Sequence, residues 1–222
     1  NDWIGHLIRT AETYAPPPPS LKNHLEQTLG LDSMRLAIVP DSPFAVTTIG
    51  KIEVVAMTVL YQQGYAWDVC ETILDALRKS ESPPPPTRIV PLGNVPAHLK
   101  HLKAAGLTLV LATNDDRPFT QKTIETLGME GLFSMVLCGD DSHPSKPDPA
   151  GINLITAELD IPPEKMMMVG DTLSDMKFAQ NGGVAYRIGV DNTSGPNGQL
   201  ESATHAVIQT IDEIVPVVAP AI

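Results

Sequence analysis

Beyond residue 94, strand-length apolar runs alternate with amphipathic stretches, and this alternation constrains the fold more than any other feature of the chain. Residues 95–105 carry apolar side chains at helical spacing and stop at Gly106, a helix terminator. The run Leu-Thr-Leu-Val-Leu-Ala-Thr follows at residues 107–113, of strand length and apolar on both faces. Residues 118–127 read as a helix ending at Gly128, and residues 133–138 as a second strand. Asp148 and Pro149 read as an N-cap and first helical position, opening a helix to about Leu159. Residues 166–169 form a third expected strand, 174–180 a helix, 184–188 a fourth strand and 205–208 a fifth. Strands apolar on both faces and separated by helices belong to a parallel sheet covered on both sides. The expected class is therefore α/β with a doubly wound parallel sheet.

Ahead of this region the signal is helical. Trp3, Ile4, Leu7, Ile8, Ala11 and Tyr14 recur at helical spacing, as do Leu21, Leu25 and Leu29. Longer amphipathic stretches occupy residues 48–63 and 67–79, and no run of alternating strands appears before residue 82. Proline tracts at residues 16–19 and 83–86 cannot continue a helix and read as stiff connectors. The change of pattern at the second tract predicts two domains, an all-helical one at residues 1–87 and an α/β one at 88–222. No internal repeat is visible.

A hydrophobic fraction of 42% supplies material for a core. The formal net charge of -11 argues against a nucleic-acid or anionic-membrane partner. It does not exclude a small anionic substrate, which a few local cations and a metal can hold. Cys70 and Cys138 are far apart and in no CxxC pattern, so neither a zinc site nor a disulfide framework is expected, and a reducing, cytoplasmic setting follows. The longest apolar runs are strand-sized and no signal peptide is visible, although the chain starts at Asn1 and its true N-terminus is expected elsewhere. Oligomeric state has no sequence signature.

In an open parallel sheet, ligands bind at the carboxyl ends of the strands. Thr113 and Asn114 follow the first strand; Gly170, Asp171 and Asp175 follow the third; Lys146 stands between them in the loop Ser145-Lys-Pro-Asp-Pro149. A hydroxyl and a backbone N–H donate to phosphate oxygens, and a lysine places a positive charge on the anion. Carboxylates are hard oxygen ligands suited to Mg²⁺, which neutralises phosphate charge. Singly, each has an ordinary structural reading: Thr-Asn as a turn, Lys146 as a solvated side chain contributing little to stability, Asp171 as a helix cap. Together, at one sheet edge, they point to phosphoryl chemistry.

These segments, LTLVLATN, then SKPDP, then MMMVGDTLSD, resemble motifs two, three and four of the haloacid-dehalogenase-like hydrolase superfamily, in order. The spacings, 33 residues from Thr113 to Lys146 and 25 from Lys146 to Asp171, are ordinary for it. The helical segment resembles the cap of phosphoglycolate-phosphatase-like members. The resemblance implies that Thr113 and the Asn114 backbone bind the transferring phosphate, and that Lys146 holds phosphate and nucleophile. It further implies that Asp171 ligates Mg²⁺ and Asp175 supports the metal or its waters. The implied activity is Mg²⁺-dependent hydrolysis of a small phosphorylated metabolite through a phospho-aspartyl intermediate.

One departure stands out. The family's first motif, a strand ending in Asp-x-Asp-Gly-Thr that supplies the nucleophile, is missing, and the resemblance places it just upstream of Asn1. Asp41, after Leu-Ala-Ile-Val-Pro at residues 36–40, lacks the second Asp and the Gly-Thr turn. The chain alone is therefore expected to be inactive or nearly so. Two rivals remain: a binding or regulatory protein that has lost its nucleophile, and a dehalogenase on the same scaffold, which Asp171 and Asp175 disfavour. The resemblance places the missing strand between the strands ending at Thr113 and Val169, so these should be separated by about two strand spacings, roughly 9–10 Å, or by a substitute such as residues 36–39 or a partner chain.

Other features carry less. His98 and His101 lie three apart on a helix without a third ligand, His143 precedes Lys146 by three at the rim of the expected site, and residues 166–168, three methionines, read as buried strand. Gly182-Gly183 and the segment 194–198 are turns and lack the pattern of a phosphate loop.

Overall fold

The computed structural model describes residues 3–32, 34, 37–39, 42–80, 89, 91–191 and 198–214. Asp41, the 83–86 proline tract and the turn at residues 194–197 lie outside them. The chain divides into two compact units, Asn1–Ile89 and Val90–Ile222.

The first unit is built from α1 (Trp3–Glu12), α2 (Leu21–Leu29), β1 (Leu31–Asp32), β2 (Ala37–Ile38), α3 (Pro43–Val46), α4 (Ile49–Gln62) and α5 (Trp67–Lys79). Its core takes the residues that repeat at helical spacing: Leu7, Leu25, Leu29, Ala56, Leu60 and Ile73 are essentially inaccessible. Each fully buried leucine contributes on the order of 2 kcal/mol. The proline tract at 16–19 connects α1 to α2. Glu53, on α4, is buried with these apolar side chains and is matched by Arg78 of α5, whose Nη2 donates at 2.6 Å. The unit departs from the all-helical expectation by one antiparallel ribbon, β1 with β2, whose register pairs Leu31 with Ile38. Two residues per strand are too few to show a period in sequence. This pairing also means that residues 37–38 do not serve as a strand of the second unit.

The second unit runs α6 (Val95–Ala104), β3 (Val110–Ala112), α7 (Arg117–Thr126), β4 (Met135–Leu137), α8 (Ala150–Leu159), β5 (Met167–Gly170), α9 (Leu173–Asn181), β6 (Tyr186–Val190), α10 (Gly198–Ala203) and β7 (Ala206–Ile208). Gly106 and Gly128 follow α6 and α7 with φ of 89° and 64°, the left-handed conformation that lets the chain reverse toward the next strand. The α8 N-cap is Pro149, one residue later than expected, and Asp148 Oδ1 instead accepts the Ala150 N–H at 2.9 Å.

All described pairings in this unit are parallel. Val110 pairs with Met135 and Ala112 with Leu137; Val169 pairs with Ile188, and Ile188 with Ala206. Alternate strand residues face two helical layers. Val110, Ala112, Met166 and Met168 pack with Ile152 and Ile155 of α8 and Phe178 of α9. Leu109, Met167 and Val169 pack with Leu102 of α6 and with Ile214. This two-sided covering is the doubly wound arrangement.

The strands nevertheless form two separate ladders, β3–β4 and β5–β6–β7. No pairing joins β3 to β5 among the described residues. A cavity of about 770 Å³ lies between them, lined on one side by residues 106–112 and on the other by 165–169. The methionine run is accordingly not fully buried: every residue of β3 and of β5 is only partly covered. Among the described residues no helix is long and apolar enough to cross a membrane.

Candidate active site

The carboxyl ends of β3 and β5 converge on Lys146. Its Nζ donates to the Ala112 carbonyl at 2.8 Å and to Asp175 Oδ1 at 2.5 Å. The loop that carries it is held from two sides. Asn114 Oδ1 accepts the Lys146 N–H at 3.1 Å and Asn114 Nδ2 donates to the Lys146 carbonyl at 3.3 Å, while Asn181 at the end of α9 donates to the Pro147 carbonyl at 3.1 Å. Asn114 therefore positions the lysine through its side chain, a role beyond the backbone contribution expected of it. The expectation of a solvated lysine is not met: the side chains of Lys146 and Asp175 are 12% and 5% exposed.

Asp175 is engaged at both oxygens. Besides Lys146 on Oδ1, Oδ2 accepts the Thr172 hydroxyl at 2.7 Å and the Thr172 N–H at 3.1 Å. With Thr172 Oγ1 accepting the Asp175 N–H, the two residues form a capping box at the start of α9. The cap of this helix is thus Thr172 and not Asp171. Gly170 makes the close approach possible, since a Cβ there would sit 2.5 Å from the Asp175 Cβ.

Asp171 leaves β5 exposed at its carboxyl end. Crowding by the surrounding protein raises its pKa and the Asp175 charge adds to this, against a backbone hydrogen bond and Lys146, with Asp115 adding further. Asp115 was not singled out by sequence. It accepts the Thr113 hydroxyl at 3.0 Å and returns its N–H to Thr113 Oγ1, also at 3.0 Å. The Thr113 hydroxyl is therefore turned toward Asp115 here. Thr172 was missed too, although Thr-x-x-Asp before a helix is a readable capping signal.

His143 places Nδ1 2.9 Å from the Pro144 carbonyl, and its buried Nε2 lies 3.6 Å from Asp141, beyond hydrogen-bond range. Asp141 is the structural anchor of this loop: it accepts Arg117 Nη2 at 2.6 and 2.7 Å and the Cys138 N–H at 2.8 Å. His98 pairs with Asp212 at 3.1 Å. Among the described residues no group of three or more His, Cys, Asp and Glu side chains forms a metal cluster, around His98 and His101 or elsewhere.

The site's charge is unbalanced. Asp115, Asp171 and Asp175 stand against the single ammonium of Lys146, which Asp175 already neutralises. A cation would offset this excess of carboxylates among the described residues. A magnesium ion, which binds through one or two carboxylates together with water and substrate oxygens, fits this donor set, with Asp171 as the carboxylate best placed to hold it.

The haloacid dehalogenase-like hydrolase family model matches residues 86–183, the stretch that carries all of these side chains. Over this stretch the chain is similar to haloacid dehalogenase-like hydrolases. A phosphoglycolate phosphatase of Psychrobacter arcticus is 39% identical over 95 residues, covering 43% of this chain and 41% of the relative. The corresponding enzyme of Escherichia coli K12 is 38% identical over 82 residues, 37% of this chain and 32% of the relative. The matched stretch thus spans about two fifths or less of these relatives' length. The fold likeness extends further. A crystal structure described as a predicted phosphoglycolate phosphatase from Haemophilus somnus 129PT superposes with a TM-score of 0.68 at 17% identity, covering 97% of this chain and 90% of that one. A HAD phosphatase from Thermococcus onnurineus gives 0.66 at 16% identity, covering 98% and 88%.

Proposed function

We propose that this chain carries the phosphate-binding, charge-neutralising and metal-holding machinery of a phosphatase acting on a small phosphomonoester, with a two-carbon phosphorylated acid such as 2-phosphoglycolate as first candidate. The observation that carries the reading is Lys146, fixed at the carboxyl ends of both β3 and β5 by Ala112 and Asp175, with Thr113 and Asp171 beside it. The substrate candidate is supported by the names of the sequence relatives.

In this reading Lys146 offsets the charge of the transferring phosphoryl group, and its tether to Asp175 fixes the ammonium before substrate arrives. The Thr113 hydroxyl rotates from Asp115 to donate to a phosphate oxygen, assisted by the Asn114 backbone N–H. Asp171 and, through its support of Lys146, Asp175 shape the metal side of the site. Magnesium, when bound, supplies charge neutralisation and alignment of the phosphate. Asp175 is not the attacking carboxylate, because both of its oxygens are committed. Attack through a phospho-aspartyl intermediate requires a carboxylate from an additional segment. The helical unit acts as a cap that excludes water during turnover, and the protein works in a reducing, cytoplasmic setting.

The test is phosphate release from 2-phosphoglycolate and p-nitrophenyl phosphate by the protein supplied with its nucleophile segment, beside chloride release from chloroacetate. Expected are phosphate release that stops on chelation of Mg²⁺, and no halide release. Halide release without a metal would move the protein to the dehalogenases, and neither activity would leave a binding protein.

A further inference from the structure

The Thr113 hydroxyl can be claimed by two acceptors. Its backbone is fixed at the carboxyl end of β3, where the Thr113 N–H donates to the Leu137 carbonyl at 2.9 Å. Two residues on, the Asp115 carbonyl accepts the Gly139 N–H at 2.8 Å, so the segment after β4 holds this turn at both ends. Within the turn the Thr113 hydroxyl donates to Asp115 Oδ2 and accepts the Asp115 N–H, each at 3.0 Å. A hydroxyl has one proton to donate, so a phosphate oxygen and the Asp115 carboxylate cannot both take it. A phosphate oxygen bound to this hydroxyl would also stand roughly 6 Å or less from Asp115 Oδ2, the sum of the two hydrogen-bond lengths. At that range two anions repel unless a cation screens them. Lys146 is paired with Asp175 and with the Ala112 carbonyl, not with Asp115. The Asp115 charge also reaches the metal side of the site: the surrounding protein and Asp175 raise the Asp171 carboxyl, and Asp115 raises it further.

We infer that Asp115 is a positioning residue that acts through Thr113, an internal anion that competes with phosphate for the hydroxyl. This role rests on the phosphatase reading above and deepens it. Before substrate arrives, the carboxylate holds the hydroxyl turned away from the space beside Lys146. An arriving phosphomonoester takes over the hydrogen bond by rotation of the hydroxyl, whose proton stays on Oγ1 throughout. When inorganic phosphate is left as product, the carboxylate reclaims the hydroxyl and the phosphate loses a donor. A lysine, a hydroxyl and magnesium gathered on one anion would otherwise hold the product tightly. The competition weakens substrate and product phosphate alike, so it acts on KM and on product inhibition and not on the chemical step. Asp115 is exposed, and solvent screening keeps the effect moderate.

The test compares the protein supplied with its nucleophile segment with its Asp115→Asn and Asp115→Ala variants. Asparagine keeps an oxygen for the hydroxyl and removes the charge, and alanine frees the hydroxyl outright. Asp116→Asn is the control, because it removes one charge from the same loop at the neighbouring position. Isothermal titration with inorganic phosphate in the presence of Mg²⁺ should give a Kd at least about tenfold lower for both Asp115 variants. The control should bind phosphate as the wild type does. With p-nitrophenyl phosphate as substrate, KM should fall by a similar factor in the Asp115 variants and kcat should not rise. Equal or weaker phosphate binding by both Asp115 variants would overturn the inference. So would an equal gain from Asp116→Asn, which would assign the effect to the net charge of -11. A loss of kcat with KM unchanged would make Asp115 part of the chemistry and overturn it too. Absence of phosphate binding to every one of these proteins would remove Thr113 as a phosphate ligand, and the phosphatase reading would fall together with the competition. Tighter phosphate binding by both Asp115 variants without hydrolysis of the ester would keep the competition and remove the phosphatase reading alone.

Discussion

Lys146 and Asp175 behave as a unit, and substitutions at either should reveal it. Lys146→Met keeps the aliphatic stem but leaves Asp175 as a buried charge without its cation, at a cost of about 3 kcal/mol. The double substitution Lys146→Met with Asp175→Asn should recover most of that loss in denaturant titration while phosphate release stays abolished. Recovery of activity along with stability would make the lysine purely structural. Asp171→Asn should leave the melting temperature nearly unchanged and remove Mg²⁺-dependent turnover. Unchanged turnover at limiting Mg²⁺ would remove Asp171 from the metal site. Asp141 gives a prediction in pH. Its burial opposes ionisation, but hydrogen bonds from Arg117 and the Cys138 N–H outweigh this and hold its pKa below the ordinary value of 3.8. A depressed carboxylate pKa adds stability that is complete above the unfolded value and lost as pH falls through the folded one. The wild type should therefore exceed Asp141→Asn by about 1 kcal/mol near neutral pH, a small figure because Arg117 is half exposed. The two melting temperatures should converge as pH falls below 3.8 and through the lowered folded value. A constant difference down to that pH would mean the contribution is packing and not charge.

At the scale of elements, helices were nearly legible in residue pattern and strands less so. The spacing signal placed α5 at its observed bounds and α1, α4, α6 and α7 within a residue or two, because a helix satisfies its own hydrogen bonds locally. The run at 107–113 reads as seven strand residues, yet only Val110–Ala112 form a ladder. A strand's extent is decided by its partners, and among the described residues β3 pairs with β4 alone. The start of α9 shows how an element positions the site. Thr172→Ala removes one half of its capping box and should cost about 1 kcal/mol, read by chemical denaturation. Gly170→Ala should do more, because the new methyl meets Asp175 carbon atoms that Lys146 and Thr172 hold in place. Loss of Mg²⁺-dependent activity is expected to accompany the loss of stability. A fully active Gly170→Ala protein would show that the Asp175 position is not critical.

Across the whole molecule, the two units have separate cores, and the sheet of the second is protected unevenly. Ile188 and Gly189, in a strand paired on both edges, should exchange their amide hydrogens far more slowly than Val110–Ala112 or Met167–Gly170. Uniform protection would mean that β3 and β5 are paired in solution. The sequence by itself determined the α/β pattern and the residue types that follow the strands' carboxyl ends. Each of these rests on periodicity or on short motifs, which are local properties of a chain. Only the tertiary structure decided that the 106–112 and 165–169 segments line a shared cavity and that Lys146 is buried against Asp175. It alone turned Asn114 onto Lys146. Those facts depend on which side chains meet across 30 or so residues of intervening chain, and on which backbone edges find partners. Spacing along the sequence does not record either.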